Sequence, residues 1–157
     1  MKPPRAIKPA ALLGLVIALT GCAPYSLDGK VISGAMPMVM LVGADDPRLQ
    51  QPGISGAFID AMIDPDKLSR EHGGSTLTDG SGAFSMPIDQ AGAGFLIYDV
   101  RVVAQATGYK PTEKTMRLPG DGKQLLIVLT PGTGKYLPPK GDILKDTMDK
   151  SKPYLND

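Results

Sequence analysis

The sequence predicts an all-β fold, a seven-stranded β-sandwich with a polar C-terminal tail, and three observations carry that expectation. The first is composition: 19 Gly and 15 Pro in 157 residues favour short strands and turns over long helices. The second is alternation. In YDVRVVAQA, Tyr98, Val100, Val102, Ala104 and Ala106 fall on one side and Asp99, Arg101 and Gln105 on the other, the period of a half-buried strand. The third is punctuation, with turn signals at Asp28-Gly29, Asp45-Asp46-Pro47, Gly73-Gly74, Asp79-Gly80, Gly108 and Pro119-Gly120-Asp121-Gly122.

The strand candidates follow in order. Residues 30–33 form a short one. MVMLV at 38–42 is apolar throughout, as a strand buried on both faces would be. At 57–63, Ala57, Ile59, Ala61 and Ile63 share one face, with Phe58, Asp60 and Met62 on the other. Phe84, Met86 and Ile88 share a face beyond a turn. Residues 98–106, 114–118 and 125–129 complete seven. PDKLSREH at 65–72 suits two helical turns or a loop. From Pro131 the chain turns polar and rich in Lys and Pro, with a short helix expected at 142–150.

Before all of these stands MKPPRAIKPAALLGLVIALTGCAP. Lys2, Arg5 and Lys8 precede an apolar run of ten residues, 10–19, too short for a bilayer span of roughly 20 residues but of secretory proportions. Leu19-Thr20-Gly21-Cys22 then resembles the lipobox of bacterial lipoproteins. That resemblance implies removal of residues 1–21 and diacylglyceryl and acyl groups on Cys22. Ala23, rather than Asp, after the cysteine implies the outer membrane. Small Thr20 and Gly21 admit the backbone to a peptidase cleft, and only a thiol forms the thioether. Cys22 is the one cysteine, so the mature chain has no intramolecular disulfide and its stability must come from a packed core. The leader takes three of the 17 bases and none of the 16 acids, leaving a net charge of −2, which argues against nucleic acid as a partner. The eight residues between Cys22 and Val31 reach at most about 30 Å at about 3.4 Å each, so the fold is expected close to the lipid surface.

Within the mature chain, three segments occur in order: Pro52-Gly53-Ile54-Ser55-Gly56-Ala57-Phe58-Ile59, Thr78-Asp79-Gly80-Ser81-Gly82-Ala83-Phe84 and Val102-Val103-Ala104-Gln105-Ala106-Thr107-Gly108-Tyr109. Their order and spacing resemble the carboxypeptidase regulatory-like domain, a transthyretin-like (prealbumin-like) seven-stranded sandwich, over about 28–131. The stretch 34–52, with MVMLV and ADDPRLQQP, departs from that pattern. The expected organisation is a signal peptide at 1–21, a lipidated tether at 22–29, the sandwich at 30–131 and a tail at 132–157. Asp79 suits an Asx-turn, with Gly80 and Gly82 at positive φ. Phe84 should open a strand with its ring inward, Gly108 should break one, and Tyr109 should cover the sandwich end with its hydroxyl outward.

Catalytic readings are weak. Gly132-Thr133-Gly134-Lys135 follows an apolar run, but a phosphate loop would need glycine where Leu129 stands and Ser or Thr where Tyr136 stands, and Leu137-Pro138-Pro139 bars the helix that should follow. His72 is the one histidine and reads as a solvated loop residue; with no free thiol it cannot build the usual zinc site. Asp45-Asp46 and Asp60, Asp64 and Asp66 offer oxygens to Ca²⁺, but Leu68 and Arg70 occupy ligand positions, so turn capping and solvation are the simpler reading. No cofactor, metal or catalytic residue is implied. The expectation is a non-catalytic membrane-anchored module that binds or scaffolds an envelope protein, with a carbohydrate- or wall-binding accessory protein as the alternative.

Overall fold

The computed structural model describes residues 25–94, 96–120 and 122–134. Cys22, the leader and the expected helix at 142–150 lie outside the described residues. Among the described residues there are nine strands where the sequence predicts seven: β1 (Ser26–Ser33), β2 (Met38–Gly43), β3 (Phe58–Ile63), β4 (Glu71–Leu77), β5 (Ala83–Pro87), β6 (Asp99–Gln105), β7 (Tyr109–Lys110), β8 (Thr112–Arg117) and β9 (Lys123–Pro131). They form two sheets. One runs β2-β9-β1-β5 with β7 added to β9, and the other runs β4-β3-β6-β8. Every pairing is antiparallel except β1 with β9.

The alternating residues explain the layering. Ala57, Ile59, Ala61 and Ile63, with Val100, Val102 and Ala104, pack from the second sheet into one cluster. Leu27, Val31, Val39, Phe84, Met86, Leu125, Ile127 and Leu129 meet them from the first. Period two puts each set on one face of its sheet, and burying both faces together removes them from water.

A smaller apolar cluster lies on the opposite face of the first sheet: Ile32, Val42 and Leu126, with Met40 and Val128 beside them and Leu49 above. Leu49 arrives on a 3-10 turn, Pro47–Gln50, capped by Asp46, whose Oδ1 accepts from Arg48 N at 2.9 Å. Lys30 Nζ donates to Leu49 O at 2.7 Å and ties the turn to β1. ADDPRLQQP therefore roofs the sheet. It also explains MVMLV: Val39 serves the inner cluster and Val42 the outer one. The run is nonetheless an edge strand with Met38 and Leu41 exposed, because β9 pairs it on one side only. From β8, Lys114 Nζ donates to Val39 O at 2.8 Å across that edge.

Three expectations are corrected. Gly73-Gly74 is not a turn but lies inside β4, where the register slips opposite Ala61 and Met62. A Cβ on Gly74 would stand 2.8 Å from Pro87 O, so glycine is what lets β4 approach β5. Asp28-Gly29 is not a turn either: β1 begins at Ser26, and a Cβ on Gly29 would lie 2.6 Å from Phe84 Cζ. The ring fills the space that a side chain would take. As a result, the folded chain starts well before the expected boundary at Lys30. Tyr25 is already fixed, its hydroxyl donating to Pro119 O at 2.6 Å.

Candidate functional site

The strands run between two ends. At the far end lie the β1–β2, β4–β5 and β6–β7 connections and the exit of β9; at the near end, beside Tyr25, lie the β3–β4, β5–β6 and β8–β9 connections.

The Thr78–Phe84 segment is a far-end turn held by its own side chains. Asp79 Oδ1 accepts from Ser81 N at 2.8 Å, Ser81 Oγ at 2.8 Å and Ala83 N at 3.0 Å. The Ser81 hydroxyl, then the Ser81 and Ala83 amides, hold the Asp79 carboxyl below the usual carboxylate range. Thr78 is buried, donating to Ile54 O at 2.6 Å and accepting from Ala57 N at 2.8 Å. Gly82 has φ 79°, whereas Gly80 does not take the positive φ expected of it. Backbone contact explains the Gly53 of the upstream segment: a Cβ on Gly82 would lie 2.5 Å from Gly53 Cα. Val31 joins the two loops, its N–H donating to Gly82 O and its carbonyl accepting from Ile54 N, both at 2.8 Å. Phe84 is the second residue of β5, which Ala83 opens, and its ring lies in the core. Asp79, Gly82 and Phe84 thus build the fold.

Gly108, at φ 83°, turns the chain after β6, and Tyr109 packs partly buried against the inner cluster while starting β7. Beside them is a cleft of about 370 Å³, lined among others by Phe58, Gln105, Thr107, Tyr109, Pro111 and Thr133. Gly132-Thr133-Gly134 form one wall. Gly132 N already donates to Gly108 O at 2.9 Å, so that amide is used within the fold rather than turned toward a phosphate.

His72 does not sit in a solvated loop. It lies on β4, and its Nε2 is 2.8 Å from Asp60 Oδ1 on β3. Asp60 is 2% exposed, which corrects its reading as a solvated surface acid. A buried carboxylate requires a partner, and the imidazole supplies it. Met62 pairs with both His72 and Arg101, so the sheet sets an imidazole and a guanidinium on either side of a buried methionine. The pairing joins residues whose significance sequence reading missed; the signal available was an acid at an inside-strand position. Among the described residues no hydroxyl hydrogen-bonds the His72 ring, and no group of three or more His, Cys, Asp or Glu is placed to hold a metal ion. Asp45 and Asp46 part company: Asp46 is committed to Arg48, with Arg48 Nε to Oδ1 at 2.9 Å and Nη2 to Oδ2 at 2.7 Å. Those bonds pull its carboxyl down to about 2.

Neither a family model nor a curated protein matches the chain. Among solved structures, a 9R-lipoxygenase from Cyanothece PCC8801 aligns at 15% identity over 88% of this chain and 18% of its own length, with a TM-score of 0.33. That score carries no argument about function.

Proposed function

We propose that the protein is a lipid-anchored, non-catalytic module of the bacterial envelope, a transthyretin-like sandwich of the carboxypeptidase regulatory-like kind that binds or scaffolds another envelope protein. In this reading β4 and the two-residue β7 are additional to the seven predicted strands. Residues 1–21 are removed, Cys22 carries the lipid, and Ala23 directs the chain to the outer membrane. The supporting observation is one of chain length. Tyr25 is bound to Pro119, and Cys22 of Leu-Thr-Gly-Cys stands three residues before it. A sandwich so closely coupled to its acylation point works at the membrane surface and presents its far end to partners.

The test is intact-mass analysis of the protein from its native membranes, beside a Cys22→Ser variant. A diacylglyceryl-acyl mass on Cys22, with the variant leaving the membrane fraction, supports the reading; a free Cys22 thiol, or a variant that still sediments with membranes, refutes it. Crosslinking in the same membranes then identifies the partner, with the variant as control.

A second reading, a carbohydrate- or wall-binding accessory protein, is favoured by the far-end cleft. Its volume falls in the range of ligand sites, and its lining includes the aromatic Phe58 and Tyr109 together with the polar Gln105 and Thr133. Binding on a glycan array that Tyr109→Ala abolishes would support it over protein scaffolding.

A further inference from the structure

The near end presents large aliphatic side chains on two connections between strands. Residues 64–70 connect β3 to β4, and 88–98 connect β5 to β6. Both leave the sheets at one level, since Ile63 pairs with Val100 and Asp64 N donates to Asp99 O at 2.7 Å. The first loop is closed by Lys67 N to Asp64 O at 2.9 Å and by Lys67 Nζ to Asp64 Oδ1 at 3.0 Å. Asp64 turns it with φ 47°, uncommon for a residue with a side chain. It leaves Leu68 96% exposed. The second is closed by Leu96 N to Gly92 O at 2.8 Å and Tyr98 Oη to Ala91 O at 2.7 Å, and leaves Leu96 59% and Ile97 74% exposed. These residues stand outside both apolar clusters.

Chain geometry says what meets them. The second loop rests on Tyr25: a Cβ on Gly94 would lie 2.8 Å from Tyr25 Cδ2, and Ile88 N donates to Tyr25 O at 3.0 Å. Tyr25 is in turn three residues from Cys22, a reach of at most about 11 Å at 3.8 Å between successive Cα atoms. A lipid on Cys22 therefore holds this end, and not the other, against the bilayer. The eight residues of β1 put the far end roughly 26 Å away.

Resting on the lipid-anchor reading, we infer that Leu68, Leu96 and Ile97 enter the interfacial layer of a phospholipid bilayer. The aliphatic tips leave water there while the loops' closed backbones stay at headgroup level. Together with the lipid they form more than one point of attachment, which fixes the orientation of the domain and turns the far-end cleft away from the membrane.

The chain has no Trp, so one introduced indole reports alone. The experiment takes the full chain, purified from membranes with its modification, as the variants Leu68→Trp, Leu96→Trp and Met36→Trp. Met36 is 71% exposed on the far-end β1–β2 turn and serves as reference. Each is reconstituted in phosphatidylcholine vesicles with or without brominated acyl chains. The inference expects L68W and L96W to lose about half their emission to the brominated lipid and M36W to be unchanged. With Cys22 lipidated by mass, emission of L68W or L96W that is quenched no more than that of M36W overturns the inference and leaves the anchor standing. A Cys22 without lipid overturns the anchor reading itself, and the inference with it.

Discussion

At the far end the loops are tied together by polar groups and bare backbone; at the near end the loops, each closed by its own hydrogen bonds and one of them resting on Tyr25, hold aliphatic side chains outward. Asp79 accepts from Ser81 and nearby amides, Thr78 bonds the Ile54 carbonyl and the Ala57 amide, and Gly53 and Gly82 let two backbones touch. Leu68, Leu96 and Ile97 are exposed and belong to neither apolar cluster. The difference separates residues that specify the fold from residues free to serve contact. The segment with the most recognisable pattern in the sequence, Thr78–Phe84, belongs to the first group.

Substitutions test that division. The largest effect is expected from Phe84→Ala, which empties the space above Gly29 and should lower unfolding free energy by about 3–5 kcal/mol, read as a shift of the urea midpoint. An unshifted midpoint would remove the ring from the core. Gly82→Ala follows. A left-handed backbone alone costs a side chain about 1–2 kcal/mol, and Gly56→Ala, at φ 69° with open space, should show just that. Gly82→Ala must exceed it because its Cβ also meets Gly53; equal midpoints would deny the close approach. Thr78→Val strands the Ala57 amide and should cost about 1–3 kcal/mol.

Acid should act next, through two carboxyls held below their ordinary range. A depressed carboxyl stabilises the fold above its unfolded pKa and loses that contribution as pH falls through the folded one. For Asp46 the window runs from 3.8 down to about 2, and for Asp79 it opens at the same upper bound. Urea midpoints of the native chain should therefore fall with pH below 3.8, and a chain carrying Asp46→Asn and Asp79→Asn should show a flatter fall. An unchanged slope would mean that neither network matters to stability. Smallest of all, Leu68→Ser and Leu96→Ser should move unfolding free energy by no more than about 0.5 kcal/mol. A loss of several times that would place these side chains among the fold residues and erase the contrast between the ends.

Much of this fold is legible in the chain because a strand's side-chain period is two and its turns need special residues. The faces assigned to 57–63 and 98–106 are the faces that pack inward, and Asp79 makes its Asx-turn. What escapes is whatever depends on distant approach. β4 is invisible because its Gly73-Gly74, needed where the register slips and β5 comes close, is identical in type to turn glycines. Leu49 has no local sign of being a roof, since Ile32 and Leu126 lie far from it in sequence. The pairing of His72 with Asp60 arises only when β4 lies beside β3.

By itself the sequence determined that the described residues form an all-β fold, which residues face inward in three of its strands, and where the Thr78–Phe84 turn falls. Those properties follow from neighbours a few residues apart, through the backbone's own geometry. Only the tertiary structure decided that nine strands divide into two sheets, that β1 lies parallel to β9, and that Tyr25 is locked to Pro119 across 94 positions. Each of these is set by burial and hydrogen bonding between segments remote in the chain, and no local pattern encodes which remote partner a strand will meet.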